Sequence, residues 1–451
     1  MIGPRLTFDA GPGMLLRPGP MHAHMHAILH HPARSVGAAM LLAGASLAGA
    51  SLAGIGLALA LSGPAAAQEP AAAPTAPAEP AATHVGLIYR PQPAPSSYDA
   101  EAAPEDEGLA GAKMAIADNN TTGRFTKQSY ALDEIALTEG GPSAVDAAKA
   151  LLGKGIRFLV LALPADEVLA VSEAARADGK GAVVLNAAAP DDRLRGTDCR
   201  GNVFHIAPSR AMLTDALAQY LTVMRWRKVF LIVGPTDADK LYADAMRNSA
   251  RKFALKVTAE KPWTFGPLAK ARGDTPTRAE AMVFTRGLDY DMAIVADEEA
   301  DWGDYVPYRT VDPRPVGGTQ GLVATTWSPV LETWGAAQAQ NRFRRLSGRL
   351  MRPLDYQVWA AIRVVSNAET DRKTADPAVL AAYLSDPAFA LSAYKGVSLS
   401  FRPWDHQLRQ PLIVVQPKAL VSVAPEQGFL HQRTPLDTLG TDLPETTCKF
   451  P

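Results

Sequence analysis

Catalytic signatures are missing from this sequence. None of its 451 residues forms a GxSxG elbow, an HExxH helix, a CxxC pair or a Walker phosphate loop, so the usual signs of a nucleophile, a catalytic zinc or a nucleotide site are lacking. Excess charge is missing too: 45 Lys and Arg stand against 46 Asp and Glu. That balance argues against nucleic acid as a partner, since such proteins usually carry a basic face. Histidine is scarce where it would count. Five of the nine (His22, His24, His26, His30 and His31) crowd the first 31 residues, and the other four, His84, His205, His406 and His431, do not fall at zinc-ligand spacing. The early tract is read as part of an extended or misassigned start, with Met21 or Met25 as alternative initiators, rather than as a metal-binding run. No metal and no cofactor is expected. Cysteine is reduced to Cys199 and Cys448. In an oxidising compartment these are disulfide candidates that would tie the C-terminal tail to the first half of the chain; two unpaired thiols are the alternative.

What is present begins with an uncharged run over residues 38–61, preceded by Arg34 and followed by Ser62-Gly63-Pro64-Ala65-Ala66-Ala67. Small residues at the end of an apolar run predict a signal peptide over residues 1–67, cleaved after Ala67, and a periplasmic location. The run is long enough for an uncleaved anchor as the alternative. No cysteine follows it directly, so a lipid anchor is not expected. Residues 68–83 are rich in Ala and Pro and read as a linker.

Residues 155–186 then set the pattern. Phe158-Leu159-Val160-Leu161 and Ala182-Val183-Val184-Leu185 are apolar without alternation, as strands covered on both faces should be. Between them, Pro164, Asp166 and Glu167 open a helix, Val168, Val171 and Ala174/Ala175 recur at helical spacing, and Gly179 stops it. This is a parallel βαβ unit. The same alternation precedes it, from the strand at 85–89 through a helix over 105–119 and a strand over 130–137, and it restarts at Lys228. Two α/β lobes follow, each with a doubly wound, Rossmann-like sheet. Toward the end, residues 396–401 and 411–416 read as a hairpin-like pair, and no periodicity is evident after Pro417.

Several stretches resemble the type I periplasmic binding proteins, in particular the branched-chain amino-acid-binding branch that serves ABC transporters. They are residues 108–120, residues 145–160, Phe204-His205-Ile206-Ala207-Pro208-Ser209, residues 228–233, and the closing stretch with Phe401-Arg402-Pro403-Trp404 and Gln410-Pro411. A narrower likeness, to the subgroup associated with pyrroloquinoline-quinone (PQQ)-dependent alcohol oxidation, rests on Trp334-Gly335-Ala336-Ala337-Gln338 and Arg352-Pro353-Leu354-Asp355-Tyr356. The resemblance implies two lobes joined by three crossing segments, with ligand held between them. It places the first lobe at 84–206 and 319–393, the second at 207–318 and 394–418, and an irregular tail over 419–451.

In open parallel sheets ligands bind beyond the carboxyl ends of the strands. The loops there nominate Tyr89, Arg90, Asp166, Asn186, Asp191, Thr236, Asp237, Asp297, Glu298 and Trp302 as ligand-binding residues. The resembled family usually places small hydroxyl residues and a Tyr-Gly pair at two of these loops. Here Pro164-Ala165-Asp166 and Pro235-Thr236-Asp237 stand in their place, which argues against an amino-acid ligand. The acidic stretch 297–304 is either a group of oxygen ligands for a hard cation or a solvated helix start. Trp302, Trp327 and Trp334 are either flat ligand-stacking faces or core. Arg90, Arg193, Arg195 and Arg352 are either carboxylate clamps or surface charges.

The resulting expectation is a monomeric, non-enzymatic solute-binding protein linked to PQQ-dependent alcohol oxidation. It would deliver a small molecule to an inner-membrane ABC permease and its ATPase. A ligand-sensing receptor domain for a membrane partner is the alternative, with an exported enzyme behind it. Candidate ligands are a small organic acid or alcohol-derived metabolite, the quinone cofactor, and a hard metal ion.

Overall fold

Strands buried on both faces need a helical layer on each side, and the chain supplies it. The structure, a computed structural model, describes residues 82–91, 103–265 and 277–450; the signal-peptide, anchor and start-site expectations and residues 68–81 of the expected linker lie outside them, whereas Thr83, at the linker's expected end, belongs to the first strand. The first stretch runs β1 (Thr83–Tyr89), α1 (Leu109–Thr126), β2 (Tyr130–Ala136), α2 (Ala144–Gly153), β3 (Phe158–Ala162), α3 (Ala165–Ala177), β4 (Val183–Asn186) and β5 (Val203–His205). The five strands form one parallel sheet in the order β2-β1-β3-β4-β5. Leu87, Val160 and Leu185 face α1 on one side, while Ile88, Leu159 and Leu161 face α2 and α3 on the other. The unalternating apolar runs are the consequence.

The second stretch runs α4 (Arg210–Val223), β6 (Lys228–Val233), α5 (Asp237–Lys252), β7 (Lys256–Pro262), α6 (Thr277–Thr285), β8 (Met292–Ala296), β9 (Val316–Gly318) and β10 (Leu322–Thr325). The third runs α7 (Ala336–Ser347), α8 (Pro353–Arg372), α9 (Pro377–Leu384), β11 (Leu391–Ser392), β12 (Ser398–Phe401), β13 (Leu408–Arg409), β14 (Leu412–Gln416) and β15 (Ala419–Ala424). A seven-stranded sheet in the order β15-β14-β10-β9-β8-β6-β7 draws on both stretches. Val229 and Leu231 pack toward α4 and α5, while Phe230 and Ile232 pack toward Ala281 of α6 and Trp302.

Helices α7 and α8 return to the first sheet. The α1–α8 contact is close enough that a Cβ on Gly111 would lie 2.0 Å from the carbonyl oxygen of Asp355. Only glycine fits there.

Several expectations need correcting. Residues 105–108 precede α1, because Gly108 turns at φ 85° and donates its N–H to Asp355 Oδ1 at 2.8 Å. Leu322–Thr325 was expected in the first lobe, yet it pairs with β9 and β14 in the second sheet. Residues 396–401 and 411–416 do not form a hairpin. Strand β12 pairs with β11 and β13 in a small three-stranded sheet, whereas β14 pairs with β10 and β15. The tail is not wholly irregular, since β15 extends the second sheet antiparallel to β14. Helix α7 was missed because its stripe of Ala336, Ala339, Gln340 and Phe343 contains a single large apolar residue.

Two of the segments that cross between the sheets are hydrogen-bonded together. The buried Arg195 donates through Nε to Gln407 Oε1 at 2.8 Å, and through its Nη atoms to the carbonyls of Ala189, Asp191 and Ala207 at 2.9, 3.0 and 2.7 Å. Gln407 in turn donates to the carbonyls of His205 and Ala207, and Gln410 to that of Ile206 at 2.7 Å. A guanidinium with four acceptors in place is a structural brace. Burial pulls its pKa down to about 10, so it stays charged at neutral pH.

Candidate functional site

The carboxyl ends of the strands are where loops from both sheets come together. The residue joining them is one the strand-end reading did not include, Arg210. It is the first residue of α4, directly after Ser209, whose hydroxyl caps the helix by accepting from Met212 N at 3.2 Å. Its guanidinium donates to both oxygens of Glu298, from Nε at 2.8 Å and Nη2 at 2.6 Å, and its Nη1 lies 3.2 Å from Asp191 Oδ2. Asp191 follows β4 of the first sheet and Glu298 follows β8 of the second. One buried cation therefore ties a loop of each sheet to the helix that leaves the first crossing segment. A paired fork of this kind is stronger and more directional than a single contact.

The surroundings are acidic and largely dry. Glu298 is pushed up by burial, and Asp191 and Asp239 add to the effect, while Arg210 counters it. Burial is the largest single influence on Arg210 and would lower it, but the bond and charge of Glu298 together with the charges of Asp191 and Asp192 outweigh it, and the net direction is upward. Asp192 is also pushed up by burial, and its Oδ1 accepts from Ala211 N at 3.1 Å. Asp239 holds the Glu298 loop by accepting from Glu298 N at 2.8 Å.

The ten nominated residues divide into three groups. Asp191 and Glu298 meet on Arg210. Asn186, Thr236, Asp297 and Trp302 support the loops from within. Asn186 is fully buried, accepts from Ala189 N at 2.9 Å and bonds the His205 ring at 3.1 Å. Thr236 caps α5. Asp297 accepts from the backbone N–H groups of Asp301, Trp302 and Gly303 at 3.1, 2.9 and 2.6 Å. Trp302 is stacked on Trp263 at 4.6 Å and is 3% exposed, which makes it core rather than an open stacking face.

In the third group Arg90 pairs with Glu167, Asp166 with Arg193, and Asp237 with Lys240; Tyr89, the last residue of β1, is packed in the core. The carboxylates of the 297–304 stretch do not converge: Asp297 turns to backbone N–H groups and Glu298 to Arg210. Among the described residues no group of three or more His, Cys, Asp or Glu side chains is arranged to hold a metal.

Of the other nominated side chains, Trp327 is core, stacked on Tyr356 at 5.0 Å, while Trp334 is 46% exposed. Arg352 pairs with Glu107 at 3.1 Å. Cys199 and Cys448 are joined as a disulfide, with their Cα atoms 5.7 Å apart. No described helix is long and apolar enough to cross a membrane.

Two α/β sheets with crossing segments and facing strand ends define the fold of the type I periplasmic binding proteins. Residues 96–269 match the model of a family described as periplasmic binding protein. The fold is shared with the leucine-, isoleucine-, valine-, threonine- and alanine-binding protein of Brucella ovis in its closed conformation. That likeness has TM-score 0.59 and 13% identity, and covers 77% of this chain and 93% of that one. It is also shared with the branched-chain amino-acid transporter substrate-binding protein of Streptococcus pneumoniae in complex with isoleucine (TM-score 0.56, 15% identity, 76% and 99% covered). A solute-binding protein of an ABC transporter from R. palustris, in complex with benzoate, is similar as well (TM-score 0.58, 14% identity, 82% and 100% covered). No curated protein matches the chain.

Proposed function

We propose that this chain is a periplasmic solute-binding protein that captures a small molecule between its two sheets and presents it to an inner-membrane ABC transporter. The observation that carries the reading is Arg210, which joins Asp191 of a first-sheet loop to Glu298 of a second-sheet loop at the strand ends where such folds hold their ligands. A contact of this kind ties the relative position of the sheets to what occupies the space between them. Lobe closure then follows from differential binding: the ligand stabilises the arrangement it fits best. We read the protein as a binder rather than an enzyme, because the solved structures that share its fold are those of solute-binding proteins.

The ligand class we favour is a small organic acid or alcohol-derived metabolite, in a setting linked to PQQ-dependent alcohol oxidation. An amino acid is disfavoured because Pro164-Ala165-Asp166 and Pro235-Thr236-Asp237 replace the hydroxyl and Tyr-Gly residues associated with that ligand. A thermal-shift panel of short organic acids, the quinone cofactor and divalent cations tests this. A rise in melting temperature with the acids, saturable and absent with amino acids, supports the reading; no shift across the panel contradicts it.

A further inference from the structure

A cavity lined by none of the strand-end loop residues lies beside the C-terminal tail. Its volume is about 680 Å³, and it sits between the small β11–β13 sheet and the tail segment around residues 433–443. Its floor is aromatic: Phe401 and the largely buried Trp404. Arg409 and Arg433 line it together with Ser398 and Ser400.

The charge arrangement here is unusual for a structural cluster. Three guanidinium groups, Arg402, Arg409 and Arg433, lie 5.5, 5.1 and 5.2 Å from the centre of the Trp404 ring. Arg402 and Arg409 share one oxygen of Asp437, at 2.9 and 2.8 Å, and Asp405 stands 3.8 Å from Arg402. The other nearby carboxylate, Asp442, is engaged by His431 at 2.9 Å. Three cations thus face two carboxylates, and Arg433 has no ion pair with any described residue. Cavities of several hundred Å³ with apolar walls and a few convergent polar groups are the usual form of small-molecule sites.

We propose that this cavity binds a small organic anion with a flat apolar body, the carboxylate against Arg433 and Arg409 and the body against Trp404 and Phe401. Recognition needs both parts of the ligand. The carboxylate answers the uncompensated guanidinium in a forked contact, and the flat body removes apolar floor from water. The site is independent of the strand-end loops, so it stands or falls separately from the function proposed above.

Isothermal titration with 4-bromobenzoate, acetate and benzamide tests it, with Arg433→Ala and Ser398→Trp as variants. Both substitutions are at exposed positions, and circular dichroism checks that each folds. Bromobenzoate should bind at least tenfold tighter than acetate or benzamide, and each variant should weaken it tenfold or more. A crystal soaked in the same compound should show the bromine signal beside Trp404. Equal affinity in wild type and both variants, no binding at all, or a bromine signal only between the two sheets overturns the proposal.

Discussion

Two arginine-centred sites in this molecule handle charge in opposite ways. At the strand ends Arg210 is surrounded by carboxylates, fully engaged and buried. At the tail cavity Arg433 leans on a tryptophan and has no described carboxylate partner. The first arrangement holds the protein's own parts together, and the second leaves binding capacity unspent. A charge with partners on two different sheets reports on conformation; a charge without a partner beside an apolar floor reports on a ligand.

The comparison can be broken by substitution. The largest effect is expected at Arg210→Ala, which leaves Glu298 and Asp191 without their counter-charge in a mostly dry setting. A loss of about 3–4 kcal/mol in urea unfolding is expected, and Arg210→Lys should recover only part of it because an ammonium cannot make the forked contact. A loss under ~0.5 kcal/mol, typical of surface substitutions, would place Arg210 among ordinary surface charges.

Next in size is the double substitution Cys199→Ser with Cys448→Ser. The bond spans 249 residues of sequence and joins a first-sheet loop to the tail that frames the cavity. Its removal should cost about 2–4 kcal/mol and expose residues 433–450 to proteolysis before the rest of the chain. Simultaneous loss of all regions would contradict that order.

A smaller effect depends on pH. His406 lies between the rings of Phe204 and Phe450, each at 4.3 Å, and its ring nitrogens meet the Val203 carbonyl and the Ser385 hydroxyl. Burial lowers its pKa to about 4. Because the unfolded chain takes up this proton near the ordinary value of about 6.5, the contribution is intact above that pH and lost as pH falls from about 6.5 to about 4. The loss from His406 alone should be about 3 kcal/mol. Asp405 works in the opposite sense: burial raises it to about 6, so its share of stability grows as pH falls through the same range. The slope in wild type is therefore the difference between the two, and His406→Gln should flatten or reverse it. An unchanged slope would mean that His406 does not contribute.

The smallest effect belongs to Arg433→Ala, which should change stability by less than ~0.5 kcal/mol while affecting only ligand binding at the cavity. That combination is the sharpest form of the contrast with Arg210.

The parts of this architecture that were legible in the sequence are those governed by local rules. The βαβ unit around β3 and β4 is legible because buried strands are continuously apolar and Asp166 and Glu167 mark the start of α3. Ser143 and Ser209 announce their helices, as their capping contacts show. What escaped depends on distant residues. Arg210 sits at a helix start, where the dipole disfavours a cation. That mismatch was a usable signal, but its partner Glu298 lies 88 residues away and nothing local names it. Asp297 and Trp302 were nominated from their place after a strand, but their side chains serve backbone N–H groups and core packing. Strand β15, Ala-Leu-Val-Ser-Val-Ala, is apolar but largely half-buried or exposed, and what makes it part of the second sheet is its antiparallel pairing with β14.

The account turns on whether the strand-end site holds a small molecule under the control of Arg210. Native mass spectrometry of the wild-type protein and of Arg210→Ala, each purified from its host, addresses this directly. The expected result is a single bound organic mass on the wild type, reduced tenfold or more in the variant, while Arg433→Ala leaves it in place. A wild type that carries no small molecule, or one whose occupancy is the same with and without Arg210, would contradict it.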